Sequence, residues 1–122
     1  MAEYATRQLD RSQLLHALKV GCDELTGAQI EDVIVSFGWD SNQPIDAMWK
    51  PVTTPIRQVF DVISAAERYR LIEVGKADVF FDAEGFSLLL CHEGDAHVSG
   101  ASDLVAKIAA RWCSAGYEPR VV

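Results

Sequence analysis

The 122-residue sequence predicts an α+β fold, a mainly antiparallel sheet with helices packed on it. Three observations predict it. Residues 78–81 and 86–91 are short apolar runs joined by the polar, glycine-ended connector Asp82-Ala83-Glu84-Gly85, a hairpin signal. Three other stretches carry apolar residues at helical spacing. The β-branched run Val33-Ile34-Val35 reads as a strand between the first two of them. The expected order is α-β-α-β-β-(β)-α-β in a single domain spanning residues 1–122.

Residues 1–9 show no period and are expected to be partly mobile. Asp10 with Gln13 has capping-box spacing, and Leu14, Leu15, Leu18, Cys22 and Leu25 form the buried stripe of a first helix. His16 lies off that stripe, in solvent. Gly27 is suited to a left-handed cap. Val33, Val35, Phe37 and Trp39 alternate as in a strand, although Ile30, Val33, Ile34 and Phe37 also fit a helical period. A connection over residues 38–54 follows, containing Asp40, Asn42, Pro44, Asp46, Trp49 and Pro51. Burial is the default for Trp39 and Trp49. Thr54-Pro55 has the pattern of an N-cap followed by proline at the first helical position, with Ile56, Val59, Phe60 and Ile63 as the stripe.

The run at 86–91 is apolar on both pleat faces, which places it centrally in the sheet. Residues 99–102 read as a turn and N-cap before a helix built on Leu104, Val105, Ile108, Ala109 and Trp112. Gly116 caps it, and residues 117–122 read as a last strand.

Composition narrows the function classes. Eighteen acids against eleven bases give a net charge of −7, which argues against general nucleic-acid or anionic-membrane binding. Residues 21–48 hold six acids and no Lys or Arg, and residues 71–103 hold seven acids and one base, Lys76. Such asymmetry serves solubility, and it also suits a basic partner. No stretch has the length of a membrane span, and the N-terminus lacks a secretory pattern. Cys22, Cys91 and Cys113 are odd in number and sit in apolar patterns, as small buried hydrophobes of a reducing compartment do. The expected location is the cytoplasm.

Chemistry-bearing residues concentrate in Cys91-His92-Glu93-Gly94-Asp95-Ala96-His97. His92 and His97 with Glu93 and Asp95 have metal-ligand types, but the histidines are five apart and Gly94 opposes a helix. Cys91 lies among carboxylates, which makes a poor thiolate. The chain carries no phosphate loop, nucleophile elbow or dinucleotide fingerprint. An enzyme is therefore the weaker expectation, with no cofactor and no bound metal. The favoured reading is a contact region of Asp82, Glu84, His92, Glu93, Asp95 and His97, with Asp78 and Asp40 as outliers. The alternatives are a small metal-dependent hydrolase using His92, Glu93, Asp95 and His97, and a scaffold subunit of a larger assembly.

Residues 78–97, followed by a helix with Arg111-Trp112 and then Gly116-Tyr117-Glu118, resemble the C-terminal half of small cytoplasmic immunity proteins encoded beside bacterial polymorphic or contact-dependent toxins. The resemblance spans residues 75–121 and is one of pattern. It implies a non-enzymatic inhibitor of one cognate toxin domain. If that toxin is a nuclease, its basic substrate face is the expected complement of an acidic inhibitor. The resemblance transfers no binding residue and leaves the oligomeric state open.

Overall fold

The computed structural model describes residues 2–39, 41 and 51–122, so that Asp40, Asn42, Pro44, Asp46 and Trp49 lie outside the described residues. Its elements are β1 (Ala2–Ala5), α1 (Arg11–Gly27), β2 (Asp32–Phe37), β3 (Val52–Pro55), α2 (Val59–Arg68), β4 (Val79–Ala83), β5 (Phe86–Leu90), β6 (Ala96–Gly100), α3 (Ser102–Ser114) and β7 (Arg120–Val121). The seven strands form one sheet in the order β3-β2-β4-β5-β6-β1-β7, with each neighbouring pair antiparallel. The expected α+β class and the central place of β5 are borne out.

Strand alternation decides which side chains meet the helices. Val33 and Val35, Val79 and Phe81, Leu88 and Leu90, and Ala96 and Val98 all point to one face and join a single apolar core with Leu14, Leu18, Val59, Ile63, Ile108 and Trp112. Ile34, Phe80, Leu89 and His97 alternate with them and project from the other face, where none is fully buried. Gly21 lets α1 approach the sheet closely: a Cβ there would lie 2.6 Å from Leu88 Cδ1. Trp112, fully buried, donates its indole N–H to Ala17 O at 3.2 Å and ties α3 to α1.

Asp10 is the N-cap of α1 and forms the capping box with Gln13. All three helices end alike. Ile30, Leu71 and Tyr117 donate their N–H groups back to Leu25, Ala66 and Trp112, and the residue before each donor is left-handed. That residue is Gly116 in α3, as expected, but Gln29 (φ 64) and not Gly27 in α1. Gly27 is still helical, because the helix runs two residues further than the glycine suggests.

Four other expectations are corrected. Residues 2–5, which show no period, form β1 between β6 and β7; four residues are too few for alternation to register. Thr54-Pro55 does not begin a helix. It ends β3, an edge strand where proline is tolerated, and a 3-10 turn (Ile56–Gln58) intervenes before α2. Strand β6 runs through to Gly100, and Ala101 is the N-cap of α3 without any side-chain bond, so residues 99–102 are not a turn with a polar cap. Cys113 is exposed, since only Trp112 beside it faces the core, whereas Cys22 and Cys91 are buried.

Trp39 is 62% exposed, against the default of burial. The alternation ends at Phe37, and Gly38 and Trp39 leave the strand while their backbones bond to Asp78. His16 is exposed as expected, with Tyr117 Oη 2.7 Å from its Nδ1.

Candidate functional site

The six residues singled out above do not form one patch. Asp82, near the end of β4, and Glu84, in the β4–β5 turn, sit at one end of β5, and His92, Glu93 and Asp95 belong to the β5–β6 loop at its other end. Five residues at about 3.4 Å each put the two ends ~17 Å apart.

At the first end the turn is tight. Ala83 pairs with Phe86, so only Glu84 and Gly85 are outside the strands, and Gly85 takes the positive φ of 69°. Asp82 accepts a hydrogen bond from Ser87 Oγ at 2.5 Å across the hairpin. Strand β2 pairs with β4, placing Ile34 opposite Asp82 and bringing Glu31 and Asp32 to the same edge. The result is a shallow depression lined by Glu31, Asp32, Asp82 and Glu84, with Ile30, Ile34 and Thr53 among its apolar and neutral walls. Arg57 borders the adjoining hollow beside Glu31 and Asp32. Glu31 and Asp32 entered the sequence reading only as part of a charge count. What makes them neighbours of Glu84 is the non-local β2–β4 pairing, which no local pattern announces.

Several acids elsewhere have Lys or Arg partners. Asp23 and Glu24 meet Arg111, Glu67 meets Arg11, and Glu118 meets Arg7. Among the described residues, none of the four acids of the depression is in an ion pair.

At the second end Gly94 (φ 89) closes a three-residue loop. Gly94 N–H donates to Cys91 O at 3.0 Å, and Cys91 N–H to Asp95 O at 2.8 Å. Gln8 and Leu9 bond to the carbonyls of Glu93 and Gly94 and hold the loop from outside. Asp78, only 5% exposed, accepts from the His92 backbone N–H at 2.8 Å and lies 2.7 Å from its Nδ1. Because a carboxylate only accepts, Nδ1 carries the proton in that bond. His97 Nε2 lies 2.9 Å from Asp95 Oδ2. The two histidines are therefore held by different carboxylates, while Glu93 projects outward with its side chain 74% exposed.

Among the described residues two groups of ligand-type side chains result, Asp78–Cys91–His92 and Cys91–Asp95–His97, and they share the thiol. Neither contains both histidines. Burial pushes the Cys91 thiol up to about 11, with the Asp95 and Asp78 charges adding to it. Cys91 is thus protonated at neutral pH and is not an activated nucleophile.

This is a helix-backed antiparallel sheet with one acidic end and one Cys/His/carboxylate end. Compared with models of known families, with curated proteins and with solved structures, the chain matches none.

Proposed function

We propose that this chain is a non-enzymatic binding protein of the immunity type, which neutralises a cognate toxin domain in the bacterial cytoplasm by docking a basic surface of it on the acidic end of the sheet. The observation that carries the reading is the depression of Glu31, Asp32, Asp82 and Glu84, none of which is in an ion pair among the described residues, with Arg57 the base bordering the adjoining hollow. Carboxylates outside any ion pair on a rigid sheet end speed encounter with a cation-rich surface and fix its register. Ile34, 40% exposed, supplies an apolar contact in the same hollow. The raised thiol of Cys91 removes the most direct nucleophilic alternative. No described helix is long and apolar enough to cross a membrane, which accords with this reading.

The test is kinetic. Asp32→Lys with Glu84→Lys should lower the association rate with the toxin domain by about tenfold or more at low salt, and the difference should shrink as salt rises. Both residues are exposed and make no described ion pair, so the variant should fold. Glu93→Lys, at the other end of β5, should change the rate far less. An unchanged rate in the double variant, or a larger effect of Glu93→Lys, would refute the placement.

A further inference from the structure

The spacing of His92 and His97 discourages a metal site, but the hairpin assembles a different set. Cys91 and Asp95 close the β5–β6 loop opposite one another, and His97 follows Asp95 by two residues. The two-residue period of a strand carries all three to the face away from the helices. One donor atom from each lies within 4.8 Å of the other two. A tetrahedral zinc ion, with Zn–S near 2.3 Å and Zn–N or Zn–O near 2.0 Å, needs donors about 3.3–3.5 Å apart. Small side-chain rotations cover that difference.

Two further observations point to a ligand. Asp95 Oδ1 is buried and accepts no conventional hydrogen bond; the Cys91 thiol is the group beside it. His97 meets only the other oxygen of that carboxylate, so Oδ1 is an acceptor left open to a cation. Cys91 is buried too, yet it is not part of the apolar core on the helix side, so core packing does not account for its position.

We propose that Cys91, Asp95 and His97 bind one divalent transition-metal ion of the zinc class, with a fourth position left to water. Asp78 also lies near Cys91, but His92 engages its carboxylate twice, so this pair walls the site and does not ligate. On binding, the thiol proton leaves to solvent and the thiolate sulfur bonds to the metal. His97 gives up the Nε2 proton that faces Asp95 Oδ2 in the metal-free chain, keeps one on Nδ1 and donates the freed Nε2 lone pair, and Asp95 Oδ1 completes the protein set. This inference is independent of the toxin-binding reading, which concerns the opposite end of β5.

Cobalt(II) is the probe. Added in equimolar amount to the purified chain, it should give a near-ultraviolet thiolate-to-cobalt charge-transfer band and intense visible bands of four-coordinate cobalt. Zinc should displace both. Cys91→Ser should abolish the charge-transfer band, His97→Ala should weaken binding by at least about tenfold, and His92→Ala should leave binding near wild type. Should the variants misfold, the wild-type chain still decides the matter, because one equivalent of zinc should raise its melting midpoint. Absence of the band and of the midpoint shift in folded wild-type protein would overturn the proposal, as would a charge-transfer band that survives Cys91→Ser.

Discussion

Gln29 holds the left-handed position at the end of α1, two residues beyond the glycine that sequence rules favour for it. A side chain in that region costs about 1 kcal/mol. Gln29→Gly should therefore stabilise the protein by up to about 1 kcal/mol in chemical denaturation. Gly27→Ala should also stabilise, by ~0.5–1 kcal/mol, since Gly27 is helical and a Cβ there meets nothing within 4 Å. Loss of stability in Gly27→Ala would show that the helix end is misassigned. Gly100 behaves oppositely. Its φ is 136° and an added Cβ would fall 2.1 Å from Gly85 O, so Gly100→Ala should cost about 3 kcal/mol or more. At this scale the sequence was readable where one bond settles the matter, as in the Asp10–Gln13 capping box. It was unreadable where the helix overran its own stop signal.

Elements were legible in proportion to their length and to how local their pairing is. The three helices carry stripes of five or so apolar residues and were all anticipated, as was the β4–β5 hairpin. Strands β1 and β3 have four residues each, and β1 finds its partner β6 more than ninety positions away. Such strands owe their existence to a neighbour and not to their own composition. The packing of the helices yields two predictions. Trp112→Ala removes the largest fully buried side chain among the described residues and its bond to Ala17, and should cost about 3–5 kcal/mol by denaturant titration. Glu67 joins α2 to Arg11 of α1 and accepts the Val74 N–H at 3.1 Å, and the Arg11 hydrogen bond holds its carboxyl below the ordinary range. A lowered native pKa means that its contribution is complete above the unfolded value, about 4.3, and is lost as pH falls through the native one. Glu67→Gln should thus lower stability at neutral pH while its deficit vanishes in acid. A deficit that persists unchanged below that range would assign the effect to packing.

For the molecule as a whole, the sheet has one face committed to the core and two ends of different chemistry. The sequence shows the Cys, His and carboxylate residues gathered in one run, yet it could not distribute them. His92 and His97 are separated by their carboxylates, Cys91 and Asp95 are brought together by a bulged loop, and Glu31 and Asp32 reach Glu84 only through strand order. Each of these depends on register, which a one-residue shift would reverse. Charge tells the same story. The net of −7 announces an acidic protein, but only the fold shows which carboxylates lack a described cationic partner. In this account, work at the acidic end of the sheet is recognition and not catalysis.

The most direct measurement is a paired rescue and binding assay against a candidate cognate toxin domain. The wild-type chain should restore growth to cells expressing that domain and co-purify with it in equimolar amount, and the Asp32→Lys, Glu84→Lys variant should fail in both while remaining folded. Equal rescue and equal binding by the folded variant, or no association of the wild-type chain with that domain, would contradict the account.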